Sequence, residues 1–162
     1  MSDNLRVGIG YDVHALSAGR RLVLGGVEVP FELGLSGWSD ADVLTHAIMD
    51  ALLGAVALGD IGCHFPPGDP QYKDISSLKL LEKVKGLLDE NGWQVSNVDA
   101  TVIAERPRLS EYVKKMREKL CRTLGIEMEQ VSVKASTSDG LGFTGRGEGI
   151  AALALATVKE KA

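Results

Sequence analysis

The sequence predicts a single-domain α/β sandwich in which helices pack against one mixed β-sheet. The first reason is that strand-like and helix-like hydrophobic patterns alternate along the chain. The second is length, because 162 residues make one domain that is large enough for a hydrophobic core. The third is that no repeat, linker or shift in composition divides the chain. We therefore treat residues 1–162 as one domain.

In the first half of the chain, the patterns predict a strand, a hairpin and a helix. From Leu5 to Val13, apolar residues alternate with glycines and polar residues, which is the period of a strand whose apolar face packs. Residues 21–30 place Gly25-Gly26 between two β-rich runs, which is typical of a hairpin. Residues 39–58 begin with a serine, carry an acid three positions later and continue with apolar residues, which predicts a helix.

In the second half, apolar residues at helical spacing predict helices over 76–90 and 110–124. Runs rich in β-formers predict strands over 93–104, 130–135 and 150–158. The predicted order is therefore β, β-hairpin, α, α, β, α, β, β.

Three segments are predicted to lie outside helices and strands. Residues 33–37 form a flexible segment, and residues 62–74 form a loop rich in Pro and Gly that should be mobile without a ligand. Residues 139–149 form a glycine-dense turn.

The charge balance argues against two classes of partner. The chain has 18 Lys and Arg residues against 22 Asp and Glu residues, a formal net charge of −4. Proteins that bind nucleic acid or anionic membrane surfaces usually carry a positive excess, so we expect neither partner. No apolar run approaches the ~20 residues of a membrane span, and the N-terminus lacks the pattern of a signal peptide.

Cysteine usage favours a cytoplasmic location. Cys63 and Cys121 are too few for a disulfide framework, which is typical of a reducing compartment. One bridge between the two cysteines is the alternative.

Asp12 and His14 are two residues apart on a predicted strand, so both side chains leave the same face. The preceding residues on that face are glycines, which leave room for a metal ion. A histidine held by structural hydrogen bonds is the alternative for this pair alone.

Asp42, His46 and Asp50 form a polar line at i, i+4 and i+8 on an otherwise apolar helix. This line is either the solvated face of the helix or part of a site. With His46 added to the strand pair, two imidazoles and one carboxylate make three protein ligands with a fourth position open. That is the arrangement of catalytic zinc, although Mn²⁺ or Co²⁺ accepts the same ligands. Asp42, one turn before His46, could orient an imidazole.

Groups that suit phosphate occur in turns. Arg106 and Arg108 flank Pro107 after a strand, and the hydroxyl-rich turn at Thr137 could cradle an anion through backbone N–H groups. Asp139 is an oxygen ligand of the type that Mg²⁺ or Mn²⁺ accepts. The chain has neither a Walker phosphate loop nor a dinucleotide-binding glycine motif, which disfavours those enzyme classes.

Six short motifs appear together along nearly the whole chain. They are residues 10–14 (GYDVH), 25–27 (GGV), 39–47 (SDADVLTHA), 50–55 (DALLGA), 58–62 (LGDIG) and 141–149 (LGFTGRGEG). In order and spacing they resemble the 2-C-methyl-D-erythritol 2,4-cyclodiphosphate synthases of the non-mevalonate isoprenoid pathway.

The resemblance implies a homotrimer with its sheets around a central axis and active sites between neighbouring subunits. It implies cyclisation of a CDP-linked methylerythritol 2-phosphate with release of CMP. Asp12, His14 and His46 would hold Zn²⁺. Asp139 stands where the family usually has a Glu that holds a Mg²⁺ bridging the α- and β-phosphates. The small, apolar residues 150–156 fit either a subunit interface or a buried central strand.

The resemblance also implies the substrate contacts. The cytidine and diphosphate pocket would comprise Ala104, Arg106, Pro107, Arg108, Leu109, Ala135, Ser136 and Thr137, and Thr137 would also polarise the β-phosphate. The methylerythritol phosphate would contact Ser39, Asp60, Gly62, Phe65 and Asp69. Trp38 stands where the family more often has His, and Pro67 where it more often has Asp, so we expect altered contacts there.

By the same resemblance, Phe143, Arg146 and Glu148 would lie near the trimer axis, where Arg146 from three chains could bind an isoprenoid diphosphate. The alternative for Arg146 is an ion pair with Glu148 inside a tight turn.

Two other functions remain compatible with the residues. A zinc-dependent hydrolase of a nucleotide or phosphodiester would use the same three ligands and give a linear product. A metal-dependent metabolite-binding protein would bind a phosphorylated ligand without turning it over.

Overall fold

The structure is a computed structural model that describes residues 4–162. Five strands form one sheet in the order β4-β1-β7-β5-β6, and β2 and β3 form a separate hairpin. The strands are β1 (Leu5–Ser17), β2 (Leu22–Leu24), β3 (Val27–Val29), β4 (Gly34–Leu35), β5 (Trp93–Ile103), β6 (Val131–Ser136) and β7 (Gly149–Glu160). The helices are α1 (Val43–Ala55), α2 (Ile61–His64), α3 (Ser77–Glu90), α4 (Val113–Leu124) and α5 (Gly142–Gly145), with 3₁₀ turns at Pro70–Tyr72 and Met128–Gln130.

The sheet is mixed, because β5 and β6 run parallel while β1 pairs antiparallel with β4 and β7, and β7 with β5. Helix α1 packs across β1 and β7, and α3 and α4 extend the helical layer over β5 and β6. Fully buried leucines, isoleucine and methionines from α1, α3 and α4 fill the space between the layers. The predicted single-domain α/β class with a mixed sheet is confirmed.

The close packing of α1 on β1 depends on glycine. A Cβ at Gly8 would lie 1.9 Å from the carbonyl oxygen of Ala51, and a Cβ at Gly10 would lie 1.9 Å from that of Ala47. Any side chain at these positions would therefore push α1 away from the sheet.

The apolar face of β1 points away from the helices, so the prediction that this face packs is wrong for the single chain. Ile9 is 72% exposed, and its strand neighbours Leu5, Val7, Tyr11 and Val13 are also exposed. Leu153 and Leu155 of β7 pair with Tyr11 and Ile9 and extend the same surface. The period of two shows that a strand has two faces, but here the glycine face carries the helix. We call these seven residues the outer apolar face.

The predicted hairpin is confirmed, with β2 and β3 joined by Gly25 and Gly26, both at positive φ. The predicted helices and longer strands all form, with shifts at their ends. Helix α1 begins at Val43 because Asp42 and not Ser39 is the N-cap, and β1 continues beyond Val13 to Ser17.

Local structure occurs where loops were predicted. Gly34–Leu35 pairs with β1, although residues 33–37 were predicted to be flexible. The predicted loop 62–74 overlaps α2 and contains the 3₁₀ turn Pro70–Tyr72, and α5 interrupts the predicted glycine-dense turn.

Cys63 is exposed and Cys121 is buried, and both are free, so the alternative of a bridge between them is not realised. None of the helices in residues 4–162 is both long enough and apolar enough to span a membrane.

Replacing Gly10 by alanine should destabilise the fold strongly, because the new Cβ would meet the backbone of α1, which cannot rotate away. We expect the free energy of unfolding to fall by about 3 kcal/mol or more, measured by urea denaturation. The control is Gly86→Ala in α3, where a Cβ meets no atom within 4 Å. That variant should gain about 0.5 to 1 kcal/mol. Equal stabilities of the two variants would contradict the close packing.

Candidate metal centre and substrate cavities

Asp12, His14 and His46 meet where β1 passes α1. The Asp12 Oδ2 atom lies 2.9 Å from His14 Nε2 and 3.0 Å from His46 Nδ1. The two ring nitrogens are 3.2 Å apart. His46 is buried, and Asp12 and His14 are partly buried. These three side chains form a group able to hold a metal ion.

The hydrogen bonds on the outer side of the two imidazoles show which ring nitrogen of each faces the cluster. His14 Nδ1 lies 2.7 Å from the Ser36 carbonyl oxygen, which only accepts, so Nδ1 carries the proton and Nε2 presents its lone pair. His46 Nε2 lies 2.8 Å from Ser77 Oγ, which leaves His46 Nδ1 facing the cluster. Two imidazole nitrogens and a carboxylate oxygen thus converge on one point, as the ligands of a metal ion do. This donor set fits Zn²⁺, Mn²⁺ or Co²⁺.

The same geometry shifts the titration of the metal-free cluster. Burial raises the pKa of Asp12, but the adjoining imidazoles of His14 and His46 outweigh it and hold that pKa well below its usual range. Burial lowers the pKa of His14, but the hydrogen bond and negative charge of Asp12 outweigh it, so the net shift is upward. In the metal-free cluster, the Asp12 carboxylate therefore favours the protonated form of His14.

Asp42 does not orient an imidazole, contrary to the prediction. Its buried carboxylate accepts four hydrogen bonds, from the N–H groups of Gly25, Gly26 and Thr45 and from the Thr45 hydroxyl. These contacts cap α1 and tie the hairpin turn to it. The helix-start spacing of Asp42 is equally consistent with a cap and with a residue behind a metal ligand, and the cap is what forms.

The polar line on α1 is not a solvated face either, since Asp42 and His46 are buried. Asp50, the third member, is partly buried, and burial raises its pKa. Its Oδ1 accepts the N–H of Ile61 at 2.8 Å and so holds the start of α2 against α1.

A cavity of about 230 Å³ opens above the metal cluster. Four of the predicted substrate contacts line it with the metal ligands, namely Trp38, Ser39, Gly62 and Phe65. Pro67 also lines it, as do Ile61, Tyr72 and Leu80, which the sequence analysis missed because no local pattern marks them.

The short helical turns beside this cavity are held by the two remaining predicted contacts. Asp60 caps α2 by accepting the N–H of Cys63, and Asp69 caps the 3₁₀ turn by accepting the N–H of Gln71. The Trp38 indole N–H donates to the Asp69 carbonyl oxygen at 2.8 Å, so Trp38 fastens this wall to the segment before α1.

A second cavity, of about 370 Å³, lies at the ends of β5 and β6. All eight residues predicted for the cytidine and diphosphate pocket line it, together with Glu105 and Ser110: Ala104, Arg106, Pro107, Arg108, Leu109, Ala135, Ser136 and Thr137. The cavity therefore brings together two chain segments that are about 30 residues apart in sequence.

Strand register relates the two cavities. Asp12 pairs with Ala152 of β7, Ala152 with Val102 of β5, and Val102 with Ala135 of β6. Three steps of about 4.8 Å place Asp12 and Ala135 about 14 Å apart across the sheet. The two cavities are at the same end of the sheet and share no lining residue.

Residues 5–159 of the chain match the YgbB family. The chain belongs to the YgbB family. It is 62% identical over 157 residues to the 2-C-methyl-D-erythritol 2,4-cyclodiphosphate synthase of Dehalococcoides mccartyi, covering 97% of this chain and all of the relative. It is also 62% identical over 156 residues to the synthase of the same name from Syntrophomonas wolfei, covering 96% and 99% of the two chains. The family that the sequence motifs predicted is confirmed.

Two solved structures are similar to this chain in both fold and sequence. The bifunctional IspDF of Campylobacter jejuni superposes with a TM-score of 0.94 at 38% identity, over 98% of this chain and 43% of that longer chain. A CDP complex of IspF from Plasmodium falciparum superposes with a TM-score of 0.86 at 30% identity, over the full length of both.

The turn after β6 contains Thr137 and Asp139. Both are exposed, and their side-chain oxygens Oγ1 and Oδ1 are 3.3 Å apart. The Glu105 carboxylate accepts the N–H groups of Ser138 and Gly140 and so shapes this turn. Glu105 was not predicted, because only the fold brings it to the turn.

Phe143 and Arg146 line neither cavity. Arg146 pairs with Glu148, with Nε 2.9 Å from Oε1, as the alternative for this turn predicted.

The metal-free protein should lose stability as the pH rises above neutrality. Because the folded pKa of His14 is raised, its contribution is complete below the unfolded value of about 6.5 and is lost as pH rises through the folded value. Asp12 adds an opposite slope only in acid, because its folded pKa is lowered. We expect the thermal midpoint of chelator-treated protein to fall from about pH 6 to about pH 9. The His14→Asn variant should show a shallower fall, and an equally steep one would contradict the assignment.

Proposed function

We propose that the chain is a 2-C-methyl-D-erythritol 2,4-cyclodiphosphate synthase, a phosphorus–oxygen lyase that converts 4-diphosphocytidyl-2-C-methyl-D-erythritol 2-phosphate to the cyclic 2,4-diphosphate and CMP. The observation that carries the proposal is the Asp12, His14 and His46 cluster inside a cavity, in a chain of the YgbB family. The free cysteines support a cytoplasmic location for this reaction.

The cavity at the ends of β5 and β6 would take the cytidine and its diphosphate. The CDP found with the Plasmodium falciparum relative supports a ligand of this class. Arg106 and Arg108 are exposed at the rim, where their guanidinium groups can meet phosphate oxygens. Arg106 pairs with Glu32, and Arg108 donates to Ser110 Oγ, so both arginines would exchange a weak surface contact for the ligand.

The methylerythritol 2-phosphate would occupy the cavity beside the metal cluster, bounded by Ser39, Gly62 and Phe65. Trp38 keeps the Asp69 segment in place but has no group that accepts a proton. Asp60 and Asp69 would reach the substrate from the ends of their helical turns. The ring of Phe65 and the hydroxyl of Ser39 line this cavity, where they would orient a small branched polyol and exclude water from it.

We assign Zn²⁺, Mn²⁺ or Co²⁺ to Asp12, His14 and His46, and Mg²⁺ or Mn²⁺ to Asp139 with the substrate diphosphate. Asp139 offers one carboxylate, which suits a cation held mainly by phosphate oxygens. When bound, such cations offset the negative charge on the reacting phosphates and on the departing CMP.

The reaction joins an oxygen of the 2-phosphate to the β-phosphorus and breaks the bond from that phosphorus to the bridging oxygen, which leaves with CMP. Because the nucleophile is part of the substrate, the protein supplies no nucleophilic side chain. Its residues hold two anionic groups in line, which is the main requirement of such a transfer. Thr137 would donate its hydroxyl proton to an oxygen of the β-phosphate.

We also propose that three chains form a homotrimer with their sheets around an axis. Support comes from the outer apolar face, a contiguous set of seven exposed apolar side chains. The separation of the two cavities further supports sites shared between subunits. Phe143 and Arg146 would then lie near the axis, where an isoprenoid diphosphate would bind, a proposal that calorimetric titration with such a diphosphate tests.

The reaction is tested by incubating the CDP-linked substrate with metal-loaded protein and following CMP and the phosphorus NMR of the second product. We expect the cyclic diphosphate, lost on chelation and reduced at least about a hundredfold in His46→Ala. The control is His64→Ala, at the histidine outside the cluster, whose Nε2 lies 2.8 Å from the Leu58 carbonyl oxygen. A linear product would favour the hydrolase, and absence of turnover would favour the binding protein.

The assembly is tested at the centre of the outer apolar face. Ile9 is the most exposed residue of that face, so Ile9→Lys would place a charge inside the proposed interface. We expect the trimer to dissociate, which light scattering would detect as a lower mass. Glu118→Lys, on the exposed side of α4, should leave the mass unchanged. A trimeric Ile9→Lys protein, or a monomeric native protein, would contradict this interface.

A further inference from the structure

The imidazole of His46 is held from behind by two residues outside the metal cluster. We propose that Ser77 and Asp40 are positioning residues that fix the proton of His46 on Nε2 and thereby aim its Nδ1 lone pair at the metal. The inference rests on the proposed function, because it concerns the metal ligand His46.

The hydrogen bonds run from His46 through Ser77 to Asp40, and the chemistry of Asp40 determines the direction of each one. The Asp40 carboxylate only accepts, so the Ser77 hydroxyl must donate its single proton to Asp40 Oδ1. Ser77 Oγ can then only accept from His46 Nε2, which lies 2.8 Å away. His46 therefore carries its proton on Nε2, and Nδ1 faces Asp12 Oδ2 at 3.0 Å.

Ser39 does not replace the relay, by which we mean the hydrogen bonds from His46 through Ser77 to Asp40. Its Oγ lies 3.3 Å from His46 Nε2, a longer contact than that of Ser77, and it accepts the N–H of Ala41. Within residues 4–162, no carboxylate accepts from the Ser39 hydroxyl and fixes its direction. Ser39 can therefore share the Nε2 proton but does not determine which ring nitrogen carries it.

Burial and further hydrogen bonds hold both residues of the relay in place. Ser77 is fully buried at the first residue of α3. Asp40 also accepts the N–H of Ser77 at 2.9 Å and that of Asp42 at 3.1 Å, so its carboxylate is fixed by the starts of α3 and α1. Such outer partners orient metal-binding imidazoles and raise their basicity, and their loss typically weakens metal binding about tenfold to a hundredfold.

Ser77→Ala removes the hydroxyl and keeps the backbone N–H that Asp40 accepts. Ser76→Ala is the matched control, because it deletes the same group one residue earlier, where the side chain makes no capping hydrogen bond. Zinc dissociation constants come from competition with a chromophoric chelator, and thermal unfolding of the metal-free variants shows that each is folded. We expect Ser77→Ala to bind zinc about tenfold to a hundredfold more weakly than Ser76→Ala.

A second readout follows the proton itself. In ¹H–¹⁵N spectra of zinc-loaded native protein, the His46 Nε2 proton should be protected from exchange, and Ser77→Ala should lose that protection. Asp40→Asn, which keeps one acceptor oxygen, should weaken zinc binding in the same direction and serves if Ser77→Ala does not fold.

Equal zinc affinities of Ser77→Ala and Ser76→Ala would overturn the inference. If native protein binds no stoichiometric divalent cation, the proposed function fails first, so the two failures are distinguishable.

Discussion

The rest of the structure depends on one constraint, the close approach of a carboxylate oxygen and two imidazole nitrogens. The acceptor atoms of Asp12, His14 and His46 lie about 3 Å apart, so a positive charge between them, whether a proton or a cation, would stabilise the group. Two ligands come from β1 and one from α1, so their separation is the separation of the strand and the helix. Gly8 and Gly10 set that separation, because only a bare Cα lets the α1 carbonyls approach. A packing requirement of the fold is thus also a requirement of the metal geometry.

The segment from Ser39 to Asp42 joins stability to function. Asp42 ties the hairpin turn to the start of α1, and Asp40 ties the start of α3 to the same place. Both carboxylates are satisfied by backbone donors, which offsets the cost of burying charge. His46 lies in the first turn of α1, and its partner Ser77 is the first residue of α3. A shift in the start of either helix would therefore displace the imidazole of His46. These hydrogen bonds therefore join the hairpin turn and the starts of α1 and α3 beside the cluster.

The sequence predicted what local spacing encodes. A period of two placed Asp12 and His14 on one face of β1, and a period near four placed His46 on α1. It did not show which face of β1 carries the helix, because alternation marks two faces without naming the covered one. Asp42 was predicted to orient an imidazole for a related reason, since a cap and an imidazole partner require the same residue at the same spacing. Glu105 and Ser77 escaped notice because each meets its partner only through tertiary packing, 33 and 31 positions away in the chain.

A single chain brings together the candidate metal ligands Asp12, His14 and His46 but leaves an apolar face uncovered and two cavities apart. Its outer face exposes side chains that a soluble surface rarely groups together, and each fully buried side chain of this kind contributes roughly 1.5 to 3 kcal/mol. Its two cavities are both open, about 14 Å apart across the sheet, and share no wall. In the proposed trimer, one contact between subunits would cover the face and close the gap. Metal binding would then depend on contacts within a chain, whereas alignment of the two reacting phosphates would depend on contacts between chains.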